Sequence, residues 1–181
     1  QYYWQFIEGL VPETVLGKIY SGWNIIDAIP YEARLIGYGL DFGFDPDPAA
    51  IVAVYYHNGG YILSEQLYQT RLLNEHLAIF LKSMPPATII ADSAEEKAIE
   101  DIRRYGVTIF GAEKGPGSVK AGIKDVQGLK ISYTRSSTNL HEEYQNYAFK
   151  ISKDGDDTGI EDPKCAKHLM SAARYVLTTI V

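Results

Sequence analysis

The sequence predicts an α/β fold in which three antiparallel strands lead into alternating helices and strands, giving a mixed sheet flanked by helices. Two features carry this expectation. Asn58-Gly59-Gly60 is a strong hairpin signal set between a Val- and Tyr-rich run at 50–57 and a second strand-like run at 61–68. After it, stretches with apolar residues at helical spacing alternate with short, continuously apolar runs of the kind found in central strands.

Taken in order, residues 35–44 read as a buried strand, followed by the turn Asp45-Pro46-Asp47-Pro48. Residues 50–57 and 61–68 form the hairpin, which completes an antiparallel meander. Leu72, Leu73, Leu77, Phe80 and Leu81 predict a helix over 71–83 that Pro85-Pro86 stops. Residues 87–91 form a central strand. Residues 95–105 form a helix with Ile99 and Ile102 inward, and 107–110 another strand. A helix is expected after Ser118, a strand at 130–134, a helix at 139–147 and a strand at 149–152. The polar turn 154–159 and a long final helix over 163–179 end the chain. Residues 1–34 are aromatic and punctuated by Gly and Pro without a sustained period. They read as a connecting segment that packs on a neighbour or on the domain surface, with one domain at 35–181.

The 181 residues suffice for one well-buried domain. A net charge of -6 means that any nucleic-acid binding must come from basic groups gathered on one face, or that part of the acidity is a metal site. The single cysteine, Cys165, excludes an internal disulfide and a cysteine-based zinc site. No segment is apolar for long enough to span a membrane, so no membrane partner is expected. A phosphate loop, the companion motifs of a kinase and a Gly-x-Ser-x-Gly elbow are all missing, which argues against ATP hydrolysis and serine-nucleophile chemistry in this chain.

Asp41 ends the first strand among apolar residues and glycine, where a carboxylate needs donors, a cationic partner or a metal. A turn-capping role is the alternative. Asp92 ends the strand 88–92. Ser93, with Glu96 three residues on, is able to cap the following helix and leave Asp92 free. Two carboxylates at the ends of central strands meet favourably only with something cationic between them. All-oxygen ligation points to Mg²⁺ or Mn²⁺. The final helix is expected to supply a third ligand, with His168 and Ser171 on one face. Lys114, Lys120, Lys124 and Lys130, with Arg103, Arg104 and Arg135, put positive charge in the second half. Gly115, Gly117 and Ser118 lie among them, so the stretch is either a phosphate-gripping segment or a solvated loop.

Together these residues resemble the C-terminal nuclease domain of tailed-phage terminase large subunits, over about residues 36–177. The motifs that carry the resemblance are Gly39-Leu40-Asp41-Phe42-Gly43 followed by Asp47-Pro48-Ala49-Ala50, then Ile89-Ile90-Ala91-Asp92, then Lys114-Gly115-Pro116-Gly117-Ser118 through Gly122-Ile123. Asn139-Leu140 with Glu142 and Tyr144 follows, and His168-Leu169-Met170-Ser171-Ala172-Ala173-Arg174-Tyr175 comes last. The resemblance implies a ribonuclease H-like fold and a metal-dependent endonuclease that cuts concatemeric double-stranded viral DNA at the start and end of genome packaging. It implies two-metal hydrolysis, with Asp41 bridging the ions, Asp92 and the final helix holding one each, and about 3.5–4 Å between them. Lys114, Gly115, Gly117, Ser118, Lys120 and Lys124 would grip DNA phosphates. The implied partners are double-stranded DNA, the terminase small subunit, the portal protein and an ATPase domain of the same full-length chain, whose tail and linker residues 1–34 resemble. The implied location is the host cytoplasm.

One departure stands out. The third aspartate usual in the family falls at Ser171. Either His168 takes its place or the position has been changed so as to weaken cutting, and Asp157 or Asp162 is the fallback ligand. Two rival readings remain at this level. One is a catalytically inactive docking module for DNA or portal. The other is a different ribonuclease H-like enzyme, such as a junction resolvase or integrase.

Overall fold

A computed structural model describes residues 15–113 and 115–181. Lys114 and the first part of the expected connecting segment, residues 1–14, lie outside the described residues. The central element is a seven-stranded mixed sheet. Its strands are β1 (Asn24–Ile26), β2 (Arg34–Asp41), β3 (Ala49–His57), β4 (Gly60–Gln69), β5 (Thr88–Ala91), β6 (Ile109–Gly111) and β7 (Ile131–Thr134). They run in the order β1-β7-β4-β3-β2-β5-β6. The meander β2-β3-β4 is antiparallel, and β5, β6, β7 and β1 add in parallel on either side. The helices are α1 (Asn74–Ser83), α2 (Glu96–Arg104), α3 (Ser118–Gln127), α4 (Thr138–Asn146) and α5 (His168–Thr179). The expected fold class is therefore the observed one.

Strand β3 shows why the sheet is covered on both sides. Its residues 49–54 are all buried and point alternately to opposite faces. Ala50, Val52 and Val54 join a core with Ile123, Val126, Leu140, Leu169 and Val176, from α3, α4 and α5. Ala49, Ile51 and Ala53 join a second core with Leu77, Leu81, Ile99 and Ile102, from α1 and α2. The β3–β4 turn has Asn58 and Gly59 both at positive φ (48° and 75°), the backbone of a two-residue hairpin loop whose twist matches its strands.

Helix α5 crosses the sheet over β2. A Cβ on Gly39 would lie 1.9 Å from the Ala172 carbonyl oxygen, so only glycine lets the helix come this close to the strand that ends in Asp41.

Three expectations need correction. The stretch read as a connecting segment, residues 1–34, includes strand β1, which pairs in parallel with β7, and Ile19 and Tyr20 are buried in the core. The polar turn expected at 154–159 is partly a strand. β8 (Phe149–Ile151) pairs with β9 (Asp157–Glu161) in a separate two-stranded sheet, and Thr158 donates to the Lys150 carbonyl. The final helix starts at His168 rather than near Pro163. Asp162 turns the chain beforehand by accepting from the Lys164 amide at 2.9 Å.

Candidate metal centre

Asp41 is the last residue of β2 and Asp92 directly follows β5, so the two meet at the carboxyl edge of neighbouring parallel strands. The Tyr175 hydroxyl lies 3.1 Å from Asp92 Oδ2 and 3.3 Å from Asp41 Oδ1. Burial, and then the two carboxylates, push its pKa up, so it remains a donor at neutral pH. The other Asp41 oxygen is 3.0 Å from His168 Nδ1. That contact, opposed by burial, raises the His168 pKa above its ordinary value. His168 Nε2 lies 3.7 Å from Asp47 Oδ1, in the turn expected from Asp45-Pro46-Asp47-Pro48.

The cap expected at Ser93 does not form. Helix α2 begins at Glu96 after Glu95, with no side-chain cap, and Asp92 itself accepts from the Ala94 amide at 2.8 Å. One Asp92 oxygen thus shapes the turn while the other faces Tyr175.

A cleft of about 300 Å³ gathers Asp41, Asp92, His168, Ser171 and Ser118. Ser171 is buried in it, one turn beyond His168. Asp157 and Asp162 are not among its lining residues; their carboxylates make turn bonds to Gly159 and Lys164. Gly117, at φ 77°, precedes the first residue of α3 as expected, and Gly115 is exposed before it. Lys120 and Lys124 stand exposed on α3, outside the cleft lining.

The cleft also brings together residues that the sequence reading gave no role. Lys167 and Arg174 line it with Glu161 between them, at 3.0 and 3.4 Å. Tyr147 donates to the same Glu161 oxygen as Arg174. Glu113 lies on the rim. Below the cleft, Glu143 accepts from the first amides of α5. Burial pushes the Glu143 carboxyl pKa up, against the opposing pull of those amides, His168 and Tyr68. The only sequence signal for this group was the Arg174-Tyr175 pair in the last motif.

Among the described residues, no group of three or more His, Cys, Asp or Glu side chains is placed to hold a metal ion. The donor chemistry nonetheless fits a hard divalent cation. Asp41 and Asp92 present oxygens toward one point, where the Tyr175 hydroxyl now sits between like charges.

Comparison with known proteins places the chain in a family. The family model described as "Terminase RNAseH like domain" matches residues 41–179, from Asp41 to the end of α5. The large terminase subunit of Bacillus phage SPP1 is 33% identical over 148 residues, covering 76% of this chain and 34% of that protein. The PBSX phage terminase large subunit of Bacillus subtilis (strain 168) is 31% identical over 147 residues, covering 77% of this chain and 33% of that protein. The chain thus spans about a third of the length of these curated relatives. Among solved structures, the SPP1 large terminase (g2p) nuclease domain with bound Mn superposes with a TM-score of 0.72 at 28% identity, over 88% of this chain and 97% of that one. The large terminase nuclease from thermophilic phage G20c with bound magnesium shares the fold at a TM-score of 0.63 and 9% identity, over 93% and 98% of the two chains. With the family match running from the first strand-end carboxylate through the whole helix that closes over it, the chain belongs to the terminase ribonuclease H-like domain family.

Proposed function

We propose that this domain is a metal-dependent endonuclease that cuts concatemeric double-stranded viral DNA when genome packaging starts and ends. The observation that carries the reading is the pair Asp41 and Asp92, held at the ends of adjacent parallel strands and facing one tyrosine hydroxyl in the lining of a cleft. The Mn and magnesium bound in the SPP1 and G20c nuclease domains support the choice of Mg²⁺ or Mn²⁺.

Asp41 and Asp92 would hold the cation, with His168 or Ser171 from α5 completing the set. A bound divalent pair supplies Lewis acidity toward the attacking water and the leaving 3′ oxygen. His168 is oriented by its contact with Asp41. Lys167 and Arg174 place cationic groups in the cleft wall, where phosphate oxygens would lie. Ser118 brings the first turn of α3 to the cleft, and Lys120 and Lys124 continue the basic surface. The partners in this reading are double-stranded DNA, the terminase small subunit, the portal protein and an ATPase domain of a longer terminase chain, acting in the host cytoplasm.

One observation favours a weaker variant of this reading. Ser171 offers a hydroxyl where the family's usual residue is a carboxylate, which suits a slow nuclease or a docking module. Plasmid cleavage separates the two. The nuclease reading expects nicking and linearisation in Mn²⁺ or Mg²⁺, none in EDTA, and none from Asp41→Asn or Asp92→Asn. Cutting in EDTA, or by Asp41→Asn at the parent rate, would place the chemistry elsewhere.

A further inference from the structure

Helix α5 has no side-chain cap of its own at Lys167, yet Leu169 and Met170 in its first turn are buried. A carboxylate from another helix satisfies the first amides. Glu143 on α4, 2% exposed, accepts from the His168 amide at 3.0 Å with one oxygen. Its other oxygen accepts from Leu169 at 2.8 Å and Met170 at 3.0 Å. A negative charge is well placed at this positive end of the helix dipole. Tyr68 joins the same group. Its hydroxyl donates to Glu143 at 3.1 Å, and its ring meets the His168 imidazole edge-on with centroids 6.2 Å apart. One buried carboxylate and its tyrosine therefore fix both the backbone and the ring of the residue whose Nδ1 faces Asp41.

We propose that Glu143 is the positioning residue of the metal centre. It sets His168 against Asp41 through the α5 backbone and through Tyr68, without touching the reacting atoms. The inference rests on the reading that Asp41, Asp92 and α5 bind a divalent cation. A residue that merely caps a helix would change stability alone. A residue that positions His168 must change the site as well, as groups behind metal ligands commonly do by about 10–100-fold in affinity or activity.

The test is titration of the 181-residue chain with Mn²⁺, by calorimetry, together with the imidazole NMR signals of metal-free His168. Glu143→Gln keeps the shape and removes the charge. It is expected to weaken Mn²⁺ binding about tenfold, to move the His168 signals, and to lower kcat for plasmid cutting while KM for DNA holds. Ile102→Val, in the core on the opposite face of the sheet, is expected to lower Tm and change none of these. Tyr68→Phe removes one donor to Glu143 and is expected to act in the same direction to a smaller extent, which covers the case in which Glu143→Gln does not fold. In a His168→Ala background, Glu143→Gln should cost Tm as before but no further Mn²⁺ affinity. Unmoved His168 signals and parent-like Mn²⁺ affinity in Glu143→Gln, or in Tyr68→Phe if that is the variant that folds, would overturn the inference alone. Failure of the parent chain to bind Mn²⁺ would overturn the functional reading, and this inference with it.

Discussion

The Tyr175 hydroxyl stands 3.1 Å from Asp92 and 3.3 Å from Asp41, so a single phenolic proton serves two carboxylates. Without a metal ion, that proton lies between them and offsets part of their repulsion. Tyr175→Phe keeps the buried ring and deletes the hydroxyl. A hydrogen bond to a charged group contributes about 1.5–3 kcal/mol. For a domain of this size the melting temperature in EDTA should fall by roughly 3–10 °C. The deficit should narrow when Mn²⁺ is added, because the cation then separates the charges. Equal melting of parent and variant in EDTA would show that the hydroxyl does not stabilise the pair.

Much of the sheet was legible because local signals dominate it. Asn58-Gly59 dictates a hairpin by backbone conformation alone, and the apolar runs at 50–57 and 87–91 become strands whose residues 50–54 and 89–91 are buried. Both strand-end aspartates could be found for the same reason. What stayed hidden depends on distant partners. Asn24–Ile26 becomes a strand only because β7, over a hundred residues later, offers it an edge. The start of α5 is set by a carboxylate 25 positions upstream of His168, which no capping pattern near residue 168 announces. Asp157-Thr158-Gly159 looks like a turn because its residues are polar. It is held as a strand by β8 across the hairpin and by the Thr158 side chain.

Glu161 makes stability depend on pH at the acid end. Burial pushes its carboxyl pKa up, but the Tyr147 hydrogen bond, Lys167 at 3.0 Å and the Arg174 charge outweigh burial and hold it below the ordinary value of 4.5. The folded pKa is thus lower than the unfolded one. The stabilisation is present above the unfolded pKa and is lost as pH falls through the folded value. Melting curves from neutral pH to about pH 3 should show an acid limb that Glu161→Gln flattens. The variant should also melt lower at neutral pH, because Arg174 is buried and loses its counter-ion. An acid limb of unchanged steepness would mean that other carboxylates govern it.

Lys120 and Lys124 lie one turn apart and exposed on α3, whose first residue, Ser118, reaches the cleft. If they follow the DNA backbone, each contact releases counter-ions, not sequence information. Lys120→Ala should weaken binding equally on unrelated duplexes. It should also reduce the log–log salt slope by about 0.9, and Lys120→Ala with Lys124→Ala by about twice that. Fluorescence anisotropy over a salt series gives both numbers. A slope that does not move would make these lysines solvated surface.

Ser171 and His168 share one face of α5, and the structure gives them different standing. His168 already touches Asp41 through Nδ1, and its backbone is fixed by Glu143. Ser171 is buried in the same cleft with a neutral hydroxyl. A hydroxyl is a weaker ligand for a hard divalent ion than a carboxylate. Ser171→Asp should therefore raise Mg²⁺ affinity and Mg²⁺-dependent cutting. In EDTA the same variant should melt below the parent, because a third carboxylate then faces Asp41 and Asp92 with no metal ion among them. His168→Ala should reduce cutting in both metals, and more steeply in Mg²⁺, which tolerates departures from octahedral coordination poorly. The two variants, assayed side by side in Mg²⁺ and Mn²⁺, separate the ligand roles. If Ser171→Asp leaves cutting unchanged while His168→Ala abolishes it, His168 alone is the third ligand. If neither variant alters cutting while Asp41→Asn still abolishes it, α5 contributes no ligand, and Glu113 on the rim of the cleft becomes the residue to replace next.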